Sequence, residues 1–268
     1  MAGRVRVVAD ADPLIGALRG CHDHLVDVLV ALDQRSLTRP SGCAEWDISQ
    51  VLGHLGSGAE IGLGGLDAAR AGSDPPPRET FPSVWARWDA MRPEECRDAF
   101  VAWDERLVAG YEALDDATRV TLRIKLGFFP RPMDVSSMVG FRLSETALHS
   151  WDVRVGNDPR ATLDLPAAEL LMDRLPLSIA FFAQPDALSD AITLSVDTVD
   201  PPRAFALSTV DGVTLQPGTP ARPDGTVTLG AEALVRLVAG RLGTHRAGVR
   251  LDSGSLTIED LCRVFPGY

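Results

Sequence analysis

The hydrophobic pattern of the chain changes once, near residue 156, and this change limits the folds that the sequence can adopt. Up to about residue 155, apolar residues recur at intervals of three and four, which is typical of amphipathic helices. Gly156-Asn157-Asp158-Pro159 follows, and clusters of this kind interrupt helices. Beyond it, short runs alternate apolar and polar residues, as half-buried strands do. The sequence therefore predicts a helical domain over residues 1–157 and a mixed domain over residues 158–268.

Four long helices are predicted in the first domain, over about 12–32, 48–63, 83–114 and 135–155, the third being interrupted near Pro93. Asp47 occupies an N-cap position, and Gln50 follows three residues later, as in a capping box. Four long amphipathic helices favour a four-helix bundle.

The second domain is predicted to begin with one helix over about 166–183. Strands are predicted over 191–199, 204–210, 225–229 and 248–251, with helices over 231–242 and 258–264. The predicted fold class is therefore a two-domain α plus α/β protein, in which a four-helix bundle precedes a small α+β domain.

Three residues of the helical part have the composition of a metal site. Glu145 and His149 are four positions apart, so both side chains project from one face of a helix. His54 lies on the second predicted helix. Two imidazoles and one carboxylate leave a coordination position open for water or substrate, as in catalytic zinc centres.

Plainer interpretations exist for each residue. A Glu–His pair at this spacing is common on solvated helix surfaces, and a lone histidine among apolar residues is often a satisfied core residue. However, Glu145, His149, Arg142 and Asp152 share one stripe of the helix among apolar neighbours. Charge in such a position is costly to bury unless it is paired or bound to metal, which favours the metal site.

Other polar residues are interpreted without a function. His22 and His24 point in different directions on the first helix and are interpreted as surface or bundle-edge residues, at most one of them near the site. Arg236 is interpreted as a surface arginine. The four cysteines form no C-x-x-C pair, so we expect them to be reduced and mostly buried.

Composition narrows the classes of partner. The net charge of −11 and the pI of about 4.9 argue against nucleic acid or an anionic membrane as the main partner. No apolar run approaches the ~20 residues of a membrane helix, and no signal-peptide core follows Met1. A cytoplasmic location is therefore expected.

The surroundings of these residues resemble the mycothiol-dependent maleylpyruvate isomerase family, which is actinobacterial. The Arg-rich composition, with Lys125 as the only lysine, agrees with such a source. The resemblance implies a DinB-like metal-binding four-helix bundle followed by a sterol-carrier-like domain. The matching stretches are Trp46–Ile48, Val51–Leu55, Glu145–Arg154, Asp224–Leu229 and Leu237–Arg241.

Within this resemblance, His54, Glu145 and His149 are expected to bind a divalent metal, with zinc as the expected ion, and mycothiol is the expected thiol cosubstrate. Arg142 and Arg241 are the predicted catalytic residues, because arginine is suited to contact anionic groups. The cleft between the two domains is expected to hold the sugar portion of the thiol.

The predicted reaction is attack of the activated thiol on an electrophilic small molecule. Release of the adduct gives S-transfer, whereas rotation and collapse give cis–trans isomerisation of the maleylpyruvate type. Two other functions fit the sequence: a metal-dependent hydrolase that uses zinc-bound water, and a non-catalytic protein that binds an apolar ligand. The sequence leaves open the substrate, the native metal and the choice between a monomer and a homodimer.

Overall fold

The computed structural model describes residues 10–267. The stretch before residue 10, where no signal-peptide core is predicted, lies outside the described residues. The chain divides into two compact units, of which the first ends at Asp158 and the second begins at Pro159.

The first unit is built on four long helices, as predicted. α3 packs against α5 and α7, and α1 packs against α5 and α7, which gives a four-helix bundle with short additional elements. Its elements are α1 (Ala11–Val30), α2 (Gln34–Leu37), α3 (Ile48–Ala71), α4 (Phe81–Asp89), α5 (Pro93–Glu112), α6 (Asp116–Thr121), the hairpin strands β1 (Arg123–Ile124) and β2 (Met133–Asp134), and α7 (Val135–Val155), with a 3-10 turn at Arg78–Thr80.

Helix ends follow local sequence signals. The backbone N–H of Gln50 donates to the Asp47 side chain at 2.8 Å, and the Gln50 side chain accepts from the backbone N–H of Asp47 at 2.9 Å. The predicted capping box at the start of α3 is thereby confirmed. The third predicted helical stretch is two helices, and Pro93 is the first residue of α5, where its missing N–H costs no hydrogen bond.

A glycine allows α4 to lie close against the bundle. Gly56 of α3 faces the Trp88 side chain of α4, and a Cβ at position 56 would lie 2.2 Å from a ring carbon of Trp88. Trp88 is buried, and its indole N–H donates to Glu60 of α3 at 2.9 Å. This packing fixes α4, the next helix of the chain, against α3.

The second unit is α+β, as predicted. Its five-stranded sheet has the order β5-β4-β3-β6-β7, in which β3 and β6 are parallel and the other neighbours are antiparallel. Helix α10 packs against α8. The elements are α8 (Leu165–Met172), α9 (Leu175–Phe182), a 3-10 turn at Pro185–Ala187, β3 (Thr193–Val199), β4 (Pro202–Ser208), β5 (Thr214–Pro217), β6 (Gly225–Leu229), α10 (Ala231–Val238), β7 (Arg250–Ser253) and α11 (Ile258–Val264).

Three details of the predicted second domain are wrong. The helix over 166–183 is two helices, because Pro176 lies at the start of α9 and cannot continue the helix before it. The helix over 231–242 ends at Val238. Gly240 has a φ of 71°, a left-handed conformation that glycine adopts easily after a helix. Strand β5 was not predicted.

Residues 10–267 contain no helix that combines the length and the apolar character required to span a bilayer.

Candidate metal centre and adjoining cavity

The three predicted ligands come together in the first unit. Nε2 of His54, on α3, lies 2.9 Å from Oε2 of Glu145, and Nε2 of His149 lies 3.9 Å from the same oxygen. All three donor atoms lie within 4.8 Å of one another. One ion at the usual ~2.0–2.2 Å from zinc ligands fits between them after small side-chain movements. The donor set of two imidazoles and a carboxylate therefore fits a divalent metal.

Burial differs across the three residues. The His54 side chain is 41% exposed and Glu145 is 19% exposed, whereas His149 is 6% exposed. Burial alone would raise the pKa of Glu145, but the hydrogen bond with His54 and the nearby His149 and Arg142 hold it below its usual value. Burial lowers the pKa of His149, against the opposing effect of Asp152. Both shifts favour the ionised carboxylate and the neutral imidazole that metal binding requires.

Behind His149 lies a second polar group. Nδ1 of His149 is 2.8 Å from Oδ2 of the buried Asp152, and Sγ of Cys43 is 3.1 Å from the same oxygen. Cys43, His149 and Asp152 also have the spacing of a three-ligand cluster. Since Asp152 accepts the Nδ1 proton, Nε2 of His149 is left as the metal-binding nitrogen, which is the common arrangement of a carboxylate behind a ligating histidine.

The loop before α3 reaches α7 because Gly42 has no side chain. The backbone N–H of Gly42 donates to the carbonyl of Asp152 at 2.8 Å, and a Cβ there would lie 2.7 Å from Oδ1 of Asp152. The N–H of Ser41 donates to the carbonyl of Trp46 at 3.1 Å, which closes the loop. The Trp46 ring consequently lies 5.2 Å from that of His54 and 6.2 Å from that of His149, measured between centroids.

An apolar cavity of about 260 Å³ adjoins His54 and Glu145. Three of its aromatic side chains, Trp85, Phe128 and Phe141, are 41–44% exposed. Trp85 and Phe128 stack with an interplanar angle of 21°. The remaining lining residues are Ser57, Gly58, Ile61, Gly62, Leu107, Tyr111, Leu126, Met138 and Arg142.

Comparison with known families identifies the first unit. The model of the mycothiol maleylpyruvate isomerase N-terminal domain matches residues 18–154, which is just over half of the chain and includes all three candidate ligands. The chain belongs to this family. Comparison with curated proteins gave no match.

Solved structures agree with the fold of this family member. A crystal structure of the mycothiol-dependent maleylpyruvate isomerase matches with a TM-score of 0.65 and 17% identity, over 92% of this chain and 95% of the other. The crystal structure of a histidine-to-alanine mutant of that isomerase gives a TM-score of 0.65 with 16% identity over the same shares. At this identity the likeness concerns the fold.

Arg142 of this family member lies beside Glu145 in the cavity wall and forms an ion pair through Nη2, while its buried Nε has no hydrogen-bond partner. Its Nη2 donates to Oδ1 of Asp104 at 2.5 Å and to the carbonyl of Leu55 at 2.9 Å. Asp104 is buried and also lies 2.7 Å from Nδ1 of His22. Burial alone would raise the pKa of Asp104, but Arg142 and His22 hold it below its usual value. The predicted role of Arg142 as a substrate contact stays a prediction.

Arg241 lies in the second unit, directly after Gly240, and its Nη1 donates to the carbonyl of Ala239 at 3.1 Å. Its predicted contact with an anionic group of the thiol or substrate also stays a prediction. The interpretation of Arg236 as a surface residue is wrong, because the residue is buried and its Nε donates to Glu232 at 2.7 Å.

Sequence reasoning missed Asp104 and the burial of His22, which is a surface or bundle-edge residue in the sequence analysis but contacts the Asp104 that pairs with Arg142. A signal for Asp104 existed, since it follows the buried Phe100 by four positions and precedes the buried Leu107 by three. It is thus an acidic residue within an apolar helix stripe. Cys43 had no such signal, because its contact with Asp152 depends on the tertiary path of a loop. None of the four cysteines is in a disulfide, as expected, but only Cys21 and Cys96 are buried, and Cys43 and Cys262 are partly exposed.

Proposed function

We propose that this chain is a mycothiol-dependent enzyme that joins the thiol to an electrophilic small molecule. His54, Glu145 and His149 would hold a divalent metal, with zinc as the proposed ion. The metal would activate the thiol for attack. The observation that supports the proposal is the convergence of these three side chains at the wall of an apolar cavity. Membership of the mycothiol maleylpyruvate isomerase family names the thiol.

A divalent metal supplies Lewis acidity, which lowers the pKa of a coordinated thiol so that thiolate exists at neutral pH. The residues of the chain prepare that chemistry. Asp152 orients His149 through Nδ1, and the exposed edge of His54 leaves an approach to the ligand set. The lining of the cavity is mostly apolar, and electrostatic interactions are stronger beside an apolar surface than in water.

The reaction forms one carbon–sulfur bond. In S-transfer, a leaving group departs with the bonding electron pair, or the neighbouring carbon of an activated alkene takes up a proton. In cis–trans isomerisation, the addition is reversed after rotation about the former double bond. A protein thiol is not required for either route. Burial raises the pKa of the Cys96 thiol to about 12, so this cysteine is a poor nucleophile at neutral pH.

Metal analysis of the purified protein tests the ligand set. We expect about one divalent ion per chain, and we expect His149→Ala to lose most of it, because two remaining ligands rarely hold zinc. His24→Ala is the control, since His24 lies outside the three-residue set. Full metal occupancy in His149→Ala would contradict the assignment.

Turnover of electrophiles by the metal-loaded protein, with and without mycothiol, tests the role of the thiol. Turnover that requires mycothiol supports the proposal. Equal turnover in both arms indicates a hydrolase that uses metal-bound water. Failure to turn over or to bind mycothiol indicates a non-catalytic protein for apolar ligands. The cytoplasmic location, the actinobacterial source and the choice between a monomer and a homodimer stay predictions.

A further inference from the structure

We infer that Cys43, His149 and Asp152 form a second metal site, which takes a thiophilic divalent ion and competes with the first site for His149. The three donor atoms of this cluster lie within 4.8 Å of one another. Cys43 belongs to the loop before α3, and the other two residues lie on α7. The second site is argued from its own three residues, and only its competition with the first site rests on the proposed function.

The distances between the three donor atoms suit a metal ion. Sγ of Cys43 lies 3.7 Å from Nδ1 of His149 and 3.1 Å from Oδ2 of Asp152, and the nitrogen and the oxygen are 2.8 Å apart. A tetrahedral zinc ion with ordinary bonds to sulfur, nitrogen and oxygen holds such donor pairs about 3.3–3.6 Å apart. The sulfur–nitrogen pair is close to this separation, and the two pairs that include Oδ2 would reach it by small side-chain movements.

The loop before α3 holds the backbone of Cys43 against α7. The N–H of Gly42 donates to the carbonyl of Asp152 at 2.8 Å, and the N–H of Cys43 donates to Oγ of Ser41 at 3.0 Å. The carbonyl of Cys43 accepts from the N–H of Trp46 at 3.2 Å. These bonds fix the chain on both sides of Cys43, so its thiol is held beside the Asp152 carboxylate before any ion arrives, as a preorganised ligand should be.

The charges of the cluster also suit a divalent ion. The thiol of Cys43 donates to Oδ2 of Asp152, and Nδ1 of His149 shares the same oxygen. Asp152 and His149 are buried, whereas Cys43 is partly exposed and gives an ion its approach. Binding forms a metal–sulfur bond and releases the thiol proton to solvent. Thiolate and carboxylate together balance the charge of the ion, so the buried cluster becomes neutral, which favours binding in an apolar environment.

The single proton of a neutral imidazole makes the two sites alternatives. When the first site holds an ion through Nε2 of His149, the proton stays on Nδ1 and blocks the second site. When the second site holds an ion through Nδ1, the proton moves to Nε2, which lies 3.9 Å from Oε2 of Glu145. An ion on Cys43 would therefore displace the metal that we propose activates the thiol, and the second site is inhibitory.

Cadmium added to the metal-free protein tests the second site. A soft ion prefers thiolate sulfur, and a cadmium–thiolate bond gives an ultraviolet charge-transfer band that the nitrogen and oxygen donors of the first site cannot give. We expect this band in the wild type, and we expect Cys43→Ser to reduce it at least tenfold. Cys262→Ser is the matched control and should keep the band, because Cys262 is also partly exposed but lies outside the cluster. A wild type without the band, or a Cys43→Ser protein with the full band, would overturn the inference.

Displacement of zinc tests the competition. Zinc-loaded wild type is titrated with cadmium while a chromogenic chelator reports the released zinc. We expect zinc to leave in step with the growth of the thiolate band. In Cys43→Ser, at least tenfold more cadmium should be needed for the same release. A band that reaches its full height while zinc stays bound would refute the competition for His149.

His54→Ala separates this inference from the proposed function, because it removes a ligand of the first site only. We expect it to weaken zinc binding at least tenfold and to keep the cadmium band. Loss of the band in His54→Ala would refute a second site that is distinct from the first. Unchanged zinc affinity together with a retained band would refute the proposed metal centre and leave the second site standing.

Discussion

At the scale of single residues, His149 presents one ring nitrogen to Glu145 and the other to Asp152. The carboxylate of Asp152 is fully buried and accepts a hydrogen bond from Nδ1 of His149. We expect Asp152→Asn to weaken metal affinity about 10- to 100-fold, because a neutral partner makes the imidazole a weaker ligand. Titration with zinc in a competing chelator measures the change. Asp67→Asn, at an exposed position of α3, should match the wild type, and equal affinities for all three proteins would contradict the proposed role.

Asp104 is a residue whose ionisation we expect to control stability. The pKa of its carboxyl is lowered in the folded chain, so the unfolded chain binds more protons as the pH falls below about 4. The stabilisation by Asp104 is therefore present at neutral pH and is lost as the pH falls through the folded pKa. Asp104→Asn leaves Arg142 without its counter-charge and should cost ~3–5 kcal/mol of unfolding free energy at neutral pH.

Denaturant titrations of the wild type and Asp104→Asn across the acidic range measure this effect. The difference in unfolding free energy between the two proteins should shrink as the pH falls below about 4, because the Asp104 carboxyl of the unfolded wild type becomes protonated there. A difference that stays constant with pH would show that the loss comes from packing and not from charge.

At the scale of elements, the contact between α3 and α4 depends on Gly56. A methyl group there would overlap the ring of Trp88 at 2.2 Å, and the ring is held by its bond to Glu60. We expect Gly56→Ala to lower the free energy of unfolding by ~1–3 kcal/mol through overpacking. Gly16→Ala is the matched control, because position 16 of α1 has open space around it. It should instead stabilise by up to ~1 kcal/mol, and equal effects of both would contradict the packing argument.

Elements with their own local signals could be predicted from the sequence. α7 has the predicted bounds, Val135–Val155, and α3 begins at the predicted capping box. Strand β5 was missed, because Thr214–Pro217 is short and its pairing with β4 comes from the sheet and not from a pattern of its own. The Glu145–His149 pair could be predicted since its helix spacing is local, whereas the approach of His54 from α3 depends on the tertiary fold. The ion pair of Arg142 with Asp104 joins two helices, so it could not be predicted from the sequence of either helix alone.

At the scale of the whole molecule, metal binding should be coupled to stability. The candidate ligands come from α3 and α7, which are distant in sequence, so the native fold is required to bring them together. Zinc at about 100 times its Kd should stabilise the metal-binding form by ~2.7 kcal/mol. We expect zinc to raise the Tm of the wild type relative to a chelator-treated sample, and to leave that of His149→Ala unchanged. Equal shifts in the two proteins would show that zinc acts elsewhere.

The placement of Arg142, Glu145, His149 and Asp152 on one helix also limits how the length of this chain can change during evolution. A single residue inserted early in α7 turns everything after it by about 100° about the helix axis. All four side chains would then leave their partners together, whereas an extra residue in the loop after Gly72 leaves every ligand in register. Homologues that keep this chemistry should therefore vary in length between α3 and α4 and keep a fixed count of residues from Asp134 to Asp152.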